Sequence, residues 1–323
     1  MLNAILLVVG LVLILCGANY LTDGSAAIAR RFGISDLIVG LTIVAFGTSA
    51  PELTISIMSA AAGNTGMAIG NVVGSNIFNT LVIIGVVAMV RPLKIERTIM
   101  SNEIPLVVVA SVVLLAMGCS QWLDGTAPVI SRVSGIVLLL FFAIFMRYVF
   151  ASAKHERPDT TKSEEVSAKR RPSMWMSCVM LVGGLAALIY GGDMFVDSAS
   201  AIARQLGVSD AVVGLTIVAA GTSLPELATS VVAAVKGNNG IAVGNVIGSN
   251  IFNVFLVLGA AATVRPLPFG GITVTDLLVM TGSAVLFLTF GWFFGNRTIT
   301  RVEGGILSAC YIAYMIYLVS QAG

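Results

Sequence analysis

Long apolar runs follow one another along the chain and are separated by short polar segments. A helix needs roughly 20 apolar residues to cross the hydrocarbon core of a bilayer, so each run predicts one membrane-spanning helix. The pattern predicts ten spans, at about residues 3–22, 36–60, 66–90, 103–119, 128–150, 175–196, 210–235, 240–263, 274–294 and 301–320. The sequence therefore predicts an all-α membrane protein with no soluble domain.

The composition agrees with this prediction and limits the partners of the chain. Hydrophobic residues make up 57% of the sequence and charged residues 11%, with a mean hydropathy of +0.98. Soluble domains average about 25% charged residues, so most of this chain needs no water-facing surface. The basic residues are scattered, which excludes a nucleic-acid-binding surface. The cysteines lack metal-ligand and disulfide spacing. We expect a lipid bilayer as surroundings, no cofactor and no obligatory protein partner.

The second half of the chain repeats the first at an offset of 174 residues, without a gap. Roughly two-thirds of positions 36–79 are identical to their partners, which indicates a gene duplication. The repeats are predicted at 1–150 and 174–323, with a cytoplasmic linker at 151–173 between them. Each repeat holds five spans, an odd number, so the second repeat enters the membrane from the opposite side. The prediction is an inverted-topology repeat, as in many secondary transporters.

The distribution of basic residues predicts the orientation of the chain. Of the 18 Lys and Arg residues, all but Arg132, Arg204 and Arg265 belong to the loops after odd-numbered spans or to the adjoining helix ends. Cytoplasmic loops carry an excess of Lys and Arg, so these loops are predicted to lie in the cytoplasm. Both termini are then outside, and we expect an integral, multi-pass protein of a prokaryotic inner membrane.

Each repeat carries a glutamate inside an apolar run, Glu52 in the first and Glu226 in the second. An ionisable group within a membrane segment is costly and by default marks a functional site. Pro51 and Pro225 directly precede the two glutamates, and a proline removes a helical hydrogen bond. We therefore expect broken helices at the bilayer midplane and carbonyls around 45–47 that lose their regular partners and face a cation.

Polar side chains near each glutamate complete a set of oxygen ligands. Thr48 lies four residues before Glu52 and shares its helix face, and Asn71, Ser75 and Asn79 form a stripe on the next span. The second repeat has the same set, namely Thr222, Ser223, Glu226, Asn245, Ser249 and Asn253. Hard cations such as Ca²⁺ take six to eight oxygen ligands. The twofold relation of the repeats would bring Glu52 and Glu226 together, and one Ca²⁺ or two or more Na⁺ would neutralise both. A site that either set of ions can fill is the minimum requirement for exchange.

These motifs resemble those of the calcium/cation antiporter superfamily, and within it the prokaryotic sodium/calcium exchangers. The resemblance rests on residues 40–52 and 214–226, which share Gly-Leu-Thr-Ile-Val-Ala and end in Pro-Glu, and on residues 70–79 and 244–253. It implies a secondary active antiporter, not an enzyme, in which Na⁺ entry drives Ca²⁺ extrusion by alternating access. It also implies that the first and sixth helices slide as a pair across a core of eight helices.

The resemblance further implies which residues bind the transported ions. The implied ligands are Glu52, Glu226, Thr48, Ser49, Ser75, Asn79, Thr222, Ser223, Ser249 and Asn253, with the backbone carbonyls of Ala45 and Ala219. Some relatives carry an aspartate at the position of Asn253, so this chain has one titratable group fewer.

Two other functions use the same residues. A Ca²⁺/H⁺ antiporter would bind protons on the two glutamates, and flux driven by a pH gradient without Na⁺ would favour it. A passive cation channel would show flux without a counter-ion. The paired repeats with broken helices are typical of alternating access and favour an antiporter over a channel.

Overall fold

The computed structural model describes residues 2–153, 173–206, 219–294 and 296–322. Most of these residues are helical, as the apolar runs predict. The helices are α1 (Leu2–Phe32), α2 (Asp36–Thr48), α3 (Ala50–Ala62), α4 (Thr65–Val90), α5 (Ile99–Gly118), α6 (Arg132–Ala153), α7 (Met174–Gln205), α8 (Leu224–Val235), α9 (Asn239–Val264), α10 (Val274–Phe293) and α11 (Arg301–Ala322). Short helical turns lie at Ser120–Leu123 and Ala219–Gly221.

Within the described residues, eight helices are long and apolar enough to span a membrane, and the bent pair α2–α3 raises the number to nine. The predicted span at 210–235 is described only from residue 219 onward, where α8 forms its second part. The predicted linker at 151–173 begins with the last turn of α6, and residues 154–172 lie outside the described residues.

The predicted ends of the first and sixth spans, at residues 22 and 196, are wrong. α1 continues to Phe32 and α7 to Gln205. Polar residues in these added turns, such as Ser25 and Ser198, are buried against other helices instead of ending the helix in water. An apolar-run criterion stops too early here, because it does not register polar residues that are buried against protein within a continuing helix.

α1 and α7 pack closely along most of their length, in opposite directions. A Cβ atom added to Gly10 would lie 2.9 Å from the Gly191 carbonyl oxygen, and one added to Gly17 would lie 2.7 Å from that of Gly184. Because residue numbers rise in one helix as they fall in the other, the two helices are antiparallel. Glycine at these positions allows the backbones to approach without interposed side chains.

The two halves of the chain interlock around α4 and α9. α6 packs on α9, where Gly135 lies against Gly259, and α11 packs on α4, where Gly304 lies against Gly85. Two short antiparallel strand pairs join the loops: β1 (Leu93–Lys94) pairs with β4 (Thr298–Ile299), and β2 (Val129–Ile130) pairs with β3 (Leu267–Pro268). α9 is buried continuously from Ile241 to Phe252 and forms the centre of the core.

Candidate ion-binding site

The helix break predicted in the first repeat is present at Ser49. α2 ends at Thr48, α3 begins at Ala50, and the two axes are bent by 45°. Pro51 lies in the first turn of α3, where N–H groups have no partner within α3 itself, so a proline is tolerated. In the second repeat, α8 likewise begins after Ser223, with Pro225 in its first turn.

One detail of this prediction is wrong, because the carbonyl of Ala45 keeps a helical partner. It accepts a hydrogen bond from the Ser49 N–H at 3.0 Å. A proline removes the bond to the residue four positions before it, so Pro51 affects the carbonyl of Gly47 and leaves that of Ala45 in the helix. A cation ligand at Ala45 would have to use the second lone pair of the oxygen. Ala219 begins the short helical turn before α8.

Both glutamates lie in the first turn of a helix that starts inside the protein. Glu52 is in the first turn of α3 and Glu226 in the first turn of α8, and each residue is only 1% exposed. The N-terminal end of a helix carries a partial positive charge, which favours a carboxylate. Each half-helix therefore contributes to holding a negative charge where hydrocarbon alone would exclude it.

Serine hydroxyls from both repeats donate to each carboxylate in a reciprocal pattern. Oε1 of Glu52 accepts from Ser75 of its own repeat at 3.5 Å and from Ser223 of the other repeat at 3.4 Å. Oε1 of Glu226 accepts from Ser249 at 3.5 Å and from Ser49 at 3.2 Å. The structure thus brings six of the sequence-predicted site residues together in one cluster, which we call the glutamate pair site.

Four buried oxygen atoms, on the two glutamates and on two asparagines of the predicted set, have no hydrogen-bond donor among the described residues. They are Oε2 of Glu52, Oε2 of Glu226, Oδ1 of Asn79 and Oδ1 of Asn253, and all are buried. A buried acceptor without a donor costs roughly 1–3 kcal/mol, and more if it is charged. A bound cation would remove that cost, so each of the four oxygens is a candidate cation ligand.

The two threonines of the predicted set are placed differently. Thr48 is fully buried and donates to Oδ1 of Asn245 at 3.0 Å. The Thr222 hydroxyl lies beside the Glu52 carboxylate but makes no hydrogen bond of ordinary geometry within the described chain. The repeats therefore supply unequal hydroxyls, one engaged by an asparagine and one available to an ion.

Two asparagines from the predicted stripe support the broken helices rather than the carboxylates. Asn71 donates to the backbone carbonyl of Glu52 at 3.3 Å and to Ser56 at 3.1 Å. Asn245 donates to the backbone carbonyl of Glu226 at 3.3 Å and to Ser230 at 3.0 Å. These bonds hold α3 against α4 and α8 against α9, and so fix the position of each glutamate.

Further buried polar residues, which were not among the predicted site residues, join the two central helices. Asn76, Asn250 and Thr80 are buried and form hydrogen bonds between α4 and α9. A signal was available, since Asn76 and Asn250 lie three residues before Asn79 and Asn253 and share their helix faces.

The donor set suits a hard cation. The glutamate pair site offers carboxylate and hydroxyl oxygens, and Asn79 and Asn253 add unpaired amide oxygens. In the described part of the chain, no three or more His, Cys, Asp and Glu side chains form a group that could hold a metal ion. Oxygen ligands of this kind suit Ca²⁺ and Na⁺ better than soft transition metals, which prefer thiolate and imidazole.

Comparison with known proteins identifies the family. The model of the family described as "Sodium/calcium exchanger protein" matches residues 2–151 and 176–320. This chain belongs to the sodium/calcium exchanger family. Its relatives include a putative antiporter CaxA of Alkalimonas amylolytica, 37% identical over 98% of both chains, and the sodium/calcium exchanger MaX1 of Methanosarcina acetivorans, 30% identical over 98% of both chains.

The fold agrees with the same family. The sodium-calcium exchanger NCX_Mj, in crystals soaked with Na⁺ and Ca²⁺, superposes with a TM-score of 0.82 at 32% identity and covers 98% of both chains. The inner membrane protein YrbG of Escherichia coli is 34% identical over 97% of this chain and 95% of its own length. This exchanger is thus an integral, multi-pass membrane protein whose relatives are transporters rather than enzymes.

Proposed function

We propose that this chain is an antiporter that exchanges Na⁺ for Ca²⁺ at the glutamate pair site and extrudes Ca²⁺ from the cell. The observation that carries the proposal is the group of four buried, donor-less oxygens on Glu52, Glu226, Asn79 and Asn253. Two carboxylates in a dry environment require compensating positive charge. One Ca²⁺ or two Na⁺ supply equal charge, so either can occupy the site, and occupation by one excludes the other.

We further propose that the chain consists of two inverted repeats of five helices each. The antiparallel packing of α1 on α7 supports this arrangement, because these helices open the two repeats. The reciprocal hydrogen bonds of Ser49 and Ser223 support it as well, since a twofold relation exchanges them. In this arrangement the α1–α7 pair moves against the remaining helices to open the site to one side at a time.

The loop charges and strand pairs support an orientation of the chain in the membrane. Arg91, after α4, donates to the carbonyl of Ala234 at the end of α8, and β1 pairs with β4. The loops after α4, after α8 and before α11 therefore lie on one face, as the excess of basic residues predicts. We propose that this face is cytoplasmic, that both termini lie outside, and that the membrane is the inner membrane, consistent with the name of the YrbG relative.

Flux measurements on the reconstituted protein test the exchange. We expect vesicles loaded with Na⁺ and diluted into Na⁺-free buffer to take up radiolabelled Ca²⁺, and Glu52→Gln and Glu226→Gln each to abolish uptake. Asp276→Asn is the matched control, because Asp276 is also a buried acid in a membrane helix, lies outside the site, and is bonded to Tyr314 and Thr273. We expect it to retain uptake.

The same vesicles separate the proposal from its alternatives. Uptake that follows an imposed pH gradient without Na⁺ would replace it with Ca²⁺/H⁺ exchange at the same glutamates. Uptake indifferent to both gradients and to both substitutions would indicate a passive channel and refute exchange.

A further inference from the structure

The amides of Asn79 and Asn253 can serve a cation in only one of their two orientations. An asparagine side chain has one accepting oxygen and one donating NH₂ group, and a half-turn exchanges them. If the NH₂ group faced the glutamate pair site, it would repel a cation. Whatever binds the NH₂ group on the other side therefore decides whether the site has these two oxygen ligands.

The partners of both NH₂ groups belong to the opposite repeat. Nδ2 of Asn79 donates to Oδ1 of Asn250 at 3.1 Å, and Nδ2 of Asn253 donates to Oδ1 of Asn76 at 3.1 Å. All four asparagines are 3% exposed or less. Oδ1 of Asn79 and Oδ1 of Asn253 are then left without a donor among the described residues, and so available to a cation.

Asn76 and Asn250 accept these two bonds, and we call them the anchors. Each anchor is itself held by a further hydrogen bond, but the two bonds differ. Nδ2 of Asn76 donates to the backbone carbonyl of Asn250 at 3.2 Å, and a carbonyl can only accept, so the orientation of Asn76 is fixed. Nδ2 of Asn250 donates to the Thr80 hydroxyl at 2.9 Å, and a hydroxyl can either accept or donate. The second repeat has no hydroxyl equivalent to that of Thr80, because Val254 occupies the corresponding position.

We propose that Asn76 and Asn250 are positioning residues for the transported cation, each holding the ion-facing asparagine of the other repeat with its oxygen toward the site. This inference rests on the proposed exchange of Na⁺ for Ca²⁺. Asn79 and Asn253 each begin a π-helical segment, Asn79–Ile83 and Asn253–Leu258. Such segments are common at functional sites, and these two interrupt the regular helix at the asparagines that the anchors hold.

The two anchors have different expected strengths. Because Asn76 bonds to a carbonyl and Asn250 to a hydroxyl, the orientation of Asn253 is enforced more strictly than that of Asn79. The site oxygen from α9 is thus held rigidly and the site oxygen from α4 less so, although the two repeats have the same residues at these positions.

A double-mutant cycle distinguishes positioning from general stabilisation. Ca²⁺ binding to the purified protein in Na⁺-free buffer is measured by calorimetry for the parent, Asn76→Ala, Asn253→Asp and the double variant. A carboxylate has two equivalent oxygens, so Asn253→Asp needs no anchor to present one of them. We expect Asn76→Ala to weaken Ca²⁺ binding about tenfold in the parent, since an oxygen ligand to a charge is lost, and to weaken it little or not at all beside Asn253→Asp.

Four results would overturn the inference or its basis. Equal weakening by Asn76→Ala in both backgrounds would show that Asn76 acts only through the stability of the fold, and unchanged binding in the parent would show that it does not act at all. Thr80→Val should weaken binding less than Asn76→Ala, and a larger effect would refute the proposed difference between the anchors. If the parent binds neither Ca²⁺ nor Na⁺, the proposed function itself fails, which the vesicle uptake reports independently.

Discussion

Adjacent glycines on α7 are expected to respond to alanine substitution with opposite signs. A Cβ atom at Gly184 would lie 2.6 Å from the Leu21 backbone nitrogen and 2.8 Å from the Gly17 carbonyl oxygen. A Cβ atom at Gly183 would meet nothing within 4 Å. Position 184 therefore faces the backbone of α1, and position 183 faces away from it.

The Cβ distances allow the change in unfolding free energy to be worked out for each substitution. Relief of the contact at 184 requires the two helices to separate by several tenths of an ångström, and overpacking of this kind costs about 1–3 kcal/mol. Both substitutions gain about 0.5–1 kcal/mol, because alanine is the better helix former. We therefore expect Gly184→Ala to lower the free energy of unfolding by about 0.5–2 kcal/mol and Gly183→Ala to raise it slightly.

Reversible unfolding in detergent micelles or bilayers measures both changes. Gly191→Ala and Gly192→Ala provide an independent pair two turns later, since a Cβ atom at 191 would lie 2.8 Å from Leu13 and one at 192 would meet nothing within 4 Å. Equal effects within each pair, or destabilisation by Gly183→Ala alone, would refute the packing of α1 on α7 described above.

Three further predictions concern polar groups. Asn245→Leu should destabilise more than Asn71→Leu, because Asn245 makes three hydrogen bonds and Asn71 two. At about 0.6 kcal/mol per bond in a membrane, the unfolding free energies should fall by about 1.8 and 1.2 kcal/mol, and an inverted order would contradict the assignment. Lys236→Ala removes a partly exposed ion pair with α1 and should cost about 0.2–1 kcal/mol in low salt and less in high salt. Hydrogen bonds from Thr126 lower the pKa of Asp124, so any stabilisation from this contact is lost as the pH falls through that lowered pKa. Thr126→Val should raise the pKa of Asp124 in an NMR titration, and an unchanged pKa would refute the contact.

The chemistry of the site could be predicted because both repeats carry the same motif. Glu52 and Glu226, each preceded by a proline inside an apolar run, identify the break and the charge without any knowledge of packing. The serines of both motifs were predictable for the same reason, and the structure places Ser49, Ser75 and their counterparts on the carboxylates. The ion-binding roles of these residues stay predictions.

Contacts between distant segments were not predictable from local pattern. The lengths of α1 and α7 depend on their packing against other helices, which an apolar-run criterion does not include. The hydrogen bonds of Asn76 and Asn250 connect residues at least 170 positions apart, so only the folded arrangement assigns them a role.

Two buried acid–tyrosine pairs were also missed, because each acid lies near the start of an apolar run. Tyr148 donates to Glu103 at 2.8 Å between α5 and α6, and Tyr314 donates to Asp276 at 2.7 Å between α10 and α11. In both cases the tyrosine hydroxyl supplies the hydrogen bond that a buried carboxyl group requires. These pairs fix neighbouring helices outside the glutamate pair site.

Competition between Na⁺ and Ca²⁺ for the purified protein tests the central claim most directly. Ca²⁺ binding would be measured by calorimetry at increasing Na⁺ concentration for the parent, Glu52→Gln and Glu226→Gln. A single shared site predicts that Na⁺ weakens Ca²⁺ binding progressively without changing the number of Ca²⁺ ions bound at saturation, and that either substitution abolishes the competition. Ca²⁺ binding that is indifferent to Na⁺, or that survives both substitutions, would contradict exchange at the glutamate pair site.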